Sequence, residues 1–133
     1  MNTYFVDTFY LLAWLHPSDE AHERAQAMAR ALRGGLVTAQ WVLIEVADGC
    51  AGPVDRERVA EFLSVFEKAS NVEVLEASSE WYHRGLERYR ERRDKEWSLT
   101  DCISFLVMEE RGIQEALTGD HHFEQAGFVP LLK

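Results

Sequence analysis

Short β-type runs alternate with amphipathic helical patterns from one end of this chain to the other, and few folds accommodate that order. Residues 3–6 read as a buried strand, and the apolar stretch after them reads as a helix. Ser18 stands where it can cap a helix carrying Ala21, Ala25, Met28, Ala29 and Leu32 at helical spacing, ended by Gly34 and Gly35. A second strand is expected over residues 36–39, then a helix through Trp41, Val42, Glu45 and Val46. Pro53 lies near the start of a further helix with Val59, Phe62, Leu63 and Phe66 at i, i+3, i+4 and i+7. Residues 72–75 alternate as a strand. Helices over 79–93 and 100–111 and strands near 115–118 and 128–131 complete the pattern. Strands alternating with helices predict an α/β fold, a parallel sheet covered on both faces. Binding sites in such sheets form beyond the carboxyl ends of the strands.

At 133 residues the chain is expected to be one domain, residues 1–133, long enough to bury a core. Hydrophobic residues make up 47% and charged residues 28%, a globular rather than disordered balance. The apolar run over 4–15 is interrupted by Asp7, has no basic residue before it and is too short to cross a bilayer, so no membrane role is expected. Cys50 and Cys102 have no metal-ligand spacing and read as buried free thiols in a reducing, cytoplasmic setting. The formal charge of −9 argues at first against a nucleic-acid partner. Residues 83–95, however, carry six basic side chains against Glu87, Glu91 and Asp94. A carboxylate-rich site beside one basic arm would produce that imbalance.

Four of the 23 acidic residues sit where surface acids do not. Asp7 ends the first strand among aromatic and aliphatic neighbours. Glu45 falls on a helix face with Trp41 and Val42 that should be covered. Asp101 begins a helix that is apolar nearly all round, and Asp120 follows the strand ending near Thr118. Each has an ordinary alternative: a helix cap for Asp7, a capping box with Ser98 for Asp101, a turn for Asp120, an arginine ion pair for Glu45. Burying isolated carboxylates costs several kcal/mol each, so their joint placement points to a cation. Clustered carboxylate oxygens suit hard divalent ions such as Mg²⁺ or Mn²⁺.

The segments Tyr4-Phe-Val-Asp-Thr-Phe-Tyr-Leu-Leu-Ala, Val42-Leu-Ile-Glu-Val-Ala, Ser98-Leu-Thr-Asp-Cys-Ile-Ser-Phe and Ala116-Leu-Thr-Gly-Asp-His-His-Phe-Glu-Gln-Ala-Gly-Phe together resemble the PIN domain, the nuclease fold of VapC-type toxins. The resemblance implies a three-layer α/β/α sandwich around a four- or five-stranded parallel sheet. It implies a catalytic and metal-binding site of Asp7, Glu45, Asp101 and Asp120, supported by the hydroxyls of Thr8 and Thr118. It further implies a Mg²⁺- or Mn²⁺-dependent endoribonuclease with an RNA substrate, an antitoxin protein as partner, and a homodimer.

In the helix over 79–93, Tyr82, Leu86 and Tyr89 are expected to face inward, leaving Arg84, Arg88 and Arg92 to guide RNA or simply to form a solvated face. Trp97, beside the basic run, is a further candidate for RNA contact, although the tryptophans are expected mainly in the core. Zinc at His121 and His122 is disfavoured, since adjacent side chains usually point apart and no HExxH or Cys/His spacing accompanies them. A phosphoacceptor domain or an aspartyl phosphatase would need a second acid next to or two residues beyond Asp7, and Thr8 and Phe9 stand there. The remaining alternative is a PIN-like module that binds RNA or protein without cutting.

Overall fold

Tyr4, Phe5 and Val6 are buried in succession, which requires a strand covered on both faces. They form β1 (Thr3–Val6), the middle strand of a five-stranded, all-parallel sheet. The computed structural model describes residues 2–133. After β1 come α1 (Thr8–Leu15), α2 (His22–Ala31), β2 (Gly35–Ala39), α3 (Gln40–Asp48), α4 (Arg56–Lys68), β3 (Val72–Leu75), α5 (Ser79–Glu91), α6 (Leu99–Arg111), β4 (Glu115–Leu117), α7 (His121–Gln125) and β5 (Val129–Pro130). The strand order is β3-β2-β1-β4-β5. Helices α1 to α4 pack in one group and α5 to α7 in another, giving the three-layer α/β/α arrangement.

This order places β1 between a strand that follows it directly and one added late in the chain. Tyr4 pairs with Leu36 on one side, and Val6 pairs with Leu117 on the other. Connections leave in opposite directions at that point, so the loops after β1 and β4 diverge and open a crevice. The core beside it is aromatic. Phe105 packs edge-on against Trp97 and Phe123, with ring centres 5.0 and 4.9 Å away. Cys50 and Cys102 are both buried and unpaired. No helix among the described residues is long and apolar enough to cross a membrane.

Three local expectations change. Ser18 caps nothing: α2 starts at His22, and Asp19 Oδ1 accepts from the Ala21 amide at 2.8 Å. The short helix α7 follows Asp120 directly, too short to announce itself by periodicity. The inward face of α5 is rotated by one residue. Gly85 is buried there, flanked by half-buried Trp81, Arg84 and Arg88, while Tyr82 and Tyr89 are exposed. A Cβ at Gly85 would lie 2.3 Å from Ile103 Cγ1, so glycine permits α5 and α6 to approach. The arginine stems cover the flanks of that contact while their heads reach carboxylates on α6. Arg88 makes a two-pronged pair with Glu109 at 3.0 Å, and Arg84 reaches Glu110 at 3.2 Å.

Candidate metal centre at the strand switch point

The pairing of β1 with β4 sets the floor of the site. The Asp7 amide extends the ladder to Leu117 O at 3.4 Å, which fixes Asp7 at the mouth of the crevice. Asp7 occupies the N-cap position of α1 but makes no side-chain cap. Its carboxylate instead accepts a 2.7 Å hydrogen bond from the Thr118 hydroxyl, just past the end of β4. The same Thr118 oxygen accepts from the Asp120 amide at 3.1 Å. One hydroxyl therefore registers two of the acids against each other.

Glu45 arrives from α3, which follows β2 without a gap. It is half-buried, accepts a short hydrogen bond from the Thr8 hydroxyl, and meets no arginine among the described residues. Asp101 arrives from the first turn of α6. Ser98 Oγ accepts from the Asp101 amide at 3.0 Å, and Asp101 Oδ2 accepts from the Ser98 amide at 3.1 Å, a complete capping box. Asp120 caps α7 by accepting from the His122 amide at 2.9 Å. The ordinary roles proposed for Asp101 and Asp120 are thus real, and they coexist with placement in the site. All four acids line one open pocket of 370 Å³.

Burial dominates the electrostatics. It pushes the Asp7 carboxyl up to about 7, with the Thr118 hydrogen bond opposing and the charge of Asp101 adding. Burial also raises Asp101, against its bond from the Ser98 amide and the neighbouring His122. Mutual repulsion among the acids contributes, but it is secondary to desolvation. Burial of this kind disfavours the charged carboxylate, and a bound cation would offset that cost.

The donor set fits a hard divalent ion. Asp7, Glu45, Asp101 and Asp120 line one water-accessible pocket, and carboxylate oxygens are the donor type that Mg²⁺ and Mn²⁺ prefer. No three of these acids, among the described residues, bring their oxygens within 4.8 Å of one another. Among the described residues, the three donors that gather within 4.8 Å of one another are on Asp120, His121 and His122. The two imidazoles lie 4.5 Å apart, so they do not diverge as adjacent side chains usually do. The first turn of α7 brings them together.

Residues 4–129 match the family model for the PIN domain. The chain belongs to the PIN domain family. It is 29% identical over 131 residues to the 23S rRNA-specific endonuclease VapC20 of Mycobacterium tuberculosis, covering 94% of this chain and 95% of that protein. The crystal structure of VapC20, a sarcin–ricin loop cleaving toxin, matches with a TM-score of 0.83 at 27% identity, again covering 94% and 95%. VapBC2 from Rickettsia felis, solved with a promoter DNA fragment, shares the fold at 14% identity and a TM-score of 0.65, covering 96% of each chain. FitAcB from Neisseria gonorrhoeae does so at 15% and 0.63, covering 95% of this chain and 94% of that one.

Within this PIN domain two further ionisable residues, Glu96 and His122, line the pocket beside Phe9 and Ser98, and sequence reasoning assigned none of these to the site. Glu96 lines it as a fifth acid. His122 lines it too, with Nδ1 3.0 Å from Asp101 Oδ2 and 3.5 Å from Asp120 Oδ1. The detectable signal for His122 was its place two residues after a capping aspartate; Glu96 sits in a polar run and gives none. Of the expected arginines, Arg84 and Arg88 are tied to α6, and Arg92 is held by Asp94 at 3.0 Å. Trp97 is buried, its indole N–H donating to Gln125 Oε1 at 3.0 Å.

Proposed function

We propose that residues 1–133 act as a single nuclease unit, a Mg²⁺- or Mn²⁺-dependent endoribonuclease that is the toxin of a toxin–antitoxin pair. The observation that carries this reading is the convergence of carboxylates from four separate chain segments on one pocket at the switch point, Asp7 among them buried. Kinship with a 23S rRNA-specific endonuclease makes RNA the preferred substrate.

When bound, a divalent ion supplies an activated water and neutralises charge on the phosphate. Asp7 and Asp101 would hold the ion in this reading, and Glu45 and Asp120 would complete the acidic set around it. Thr118 fixes the rotamer of Asp7 through its 2.7 Å bond, and Thr8 does the same for Glu45. The capping box anchors Asp101 to the start of α6, a rigid support. A cytoplasmic antitoxin with a cationic segment would cover the acidic crevice, and two copies of the chain would pair as a homodimer.

The test compares wild type with Asp7→Asn on labelled RNA and DNA of mixed sequence, each with Mn²⁺, Mg²⁺ or excess EDTA. Cleavage of RNA by wild type that is lost with EDTA and falls at least a hundredfold in Asp7→Asn is the expected outcome. Retention of RNA without cleavage under every metal condition would favour a non-catalytic binding module.

A further inference from the structure

A second pocket, of 680 Å³, opens between the end of α5 and the start of α6. That volume lies within the roughly 300–1,000 Å³ typical of sites for small organic ligands. Its lining differs in kind from the acidic crevice: Arg92, Arg93 and Lys95 contribute positive charge in a chain of net −9. Glu96 and Ser98 line both pockets, so the two are adjacent.

The three cations are not equivalent. Arg92 is immobilised, its guanidinium held by both oxygens of Asp94 and lying 4.8 Å over the Trp97 ring. It presents a fixed planar edge rather than a mobile charge. Lys95 has only a distant contact with Asp94, at 4.0 Å. Arg93 is exposed and makes no ion pair among the described residues. Tyr89, also lining the pocket, is 50% exposed and has no aromatic neighbour stacked on it among the described residues. An exposed aromatic ring beside Arg93, which has no ion pair among the described residues, and the loosely paired Lys95 suits a nucleotide, whose base stacks while its phosphate pairs.

Resting on the ribonuclease reading above, we propose that this pocket is a substrate subsite that receives one unpaired RNA nucleotide flanking the scissile phosphate. Its base stacks on Tyr89, and its phosphate is held by Arg93 and Lys95. The scissile phosphate then reaches the carboxylate pocket across Glu96 and Ser98. A base enters such a pocket only when splayed from its neighbours, so the subsite selects loops and single strands over continuous duplex. It also reverses the earlier reading of α5: the tyrosine contacts substrate, while Arg84 and Arg88 hold the fold.

The experiment measures RNA affinity by fluorescence anisotropy in the non-cleaving Asp7→Asn background with Mg²⁺. The probes are a single-stranded RNA and its duplex, and cleavage is followed in parallel in the wild-type background. Tyr89→Ala should weaken single-strand binding about tenfold or more, with Tyr89→Phe restoring it. Arg93→Ala should weaken binding and flatten its salt dependence by about 0.7 in the log–log slope, one phosphate's worth. In the cleaving background Tyr89→Ala should raise KM while leaving kcat nearly unchanged. Stabilisation by Mn²⁺, measured with Tyr89→Ala and Arg93→Ala in the Asp7-containing protein and unchanged in both, shows that fold and metal site are intact. If wild type cleaves RNA and both substitutions leave affinity and KM unchanged, the subsite is overturned while the nuclease reading stands. If wild type neither cleaves nor binds RNA, the nuclease reading fails and takes the subsite with it.

Discussion

Asp7 combines three properties that ordinarily exclude one another: it is acidic, buried and, among the described residues, without a cationic partner. Burial raises its carboxyl to about 7 in the folded chain, from the ordinary aspartate value of 3.8. The folded state therefore holds a proton that the unfolded state has released across the interval between those values. Stability must fall as pH rises through that interval, because proton binding favours the folded form there. In metal-free protein the penalty is absent below about pH 4, accumulates to about pH 7, and amounts to about 4 kcal/mol when complete. Asp7→Asn removes the ionisation while keeping the size. In EDTA, urea denaturation should show wild type losing stability from pH 4 to 8 and Asp7→Asn losing much less, so that the variant is the more stable protein at pH 8. Parallel pH profiles for the two proteins would mean that Asp7 is not the group responsible.

Asp7, Glu45 and Asp101 were legible because each broke a local apolar pattern, Asp7 at a strand end and Asp101 inside Asp-Cys-Ile-Ser-Phe-Leu-Val, while Asp120 was legible only by its place after a strand. The face of α5 was not legible. Tyr82, Leu86 and Tyr89 make a plausible apolar stripe, but a hydrophobicity pattern cannot register that Gly85 leaves a notch for Ile103 or that arginine stems bury well. The helix turned by one residue to seat α6 against that notch. Alanine normally favours a helix interior over glycine by about 1 kcal/mol. At Gly85 the sign should invert, because the new Cβ meets Ile103 Cγ1 at 2.3 Å and Leu99 Cδ1 at 3.4 Å. Ile103 is β-branched, 2% exposed and unable to swing away. Gly85→Ala should therefore destabilise by about 1–3 kcal/mol in chemical denaturation. Combined with Ile103→Ala, its added effect should be much smaller. A stabilising Gly85→Ala would show that α5 and α6 are looser than the packing implies.

At the scale of the whole molecule, the acids come from residues 7, 45, 101 and 120, nearly the full length of the chain, and from both groups of helices. A cation shared among them would tie β1, α3, α6 and the β4–α7 turn together, so its effect should be global rather than confined to one loop. Net charge works in the same direction, since a chain of −9 with acids concentrated at one sheet edge repels itself most strongly there. Binding to the folded state alone stabilises by RT ln(1 + [L]/Kd), about 2.7 kcal/mol at a hundredfold excess over Kd. For a domain of this size that is a rise in Tm of about 10 °C. Calorimetry at pH 7.5 should show one unfolding transition that moves upward with Mn²⁺ and remains single. The shift should grow with pH between 6 and 8, because the ion must displace the proton held by Asp7. Asp7→Asn should lose most of the response, whereas exposed substitutions at Arg93 or Tyr89 should keep it. A transition indifferent to Mn²⁺ at every pH would leave the buried carboxylate without a ligand and remove the physical basis for metal-dependent cleavage. A second, unshifted transition would instead confine the ion's effect to part of the chain.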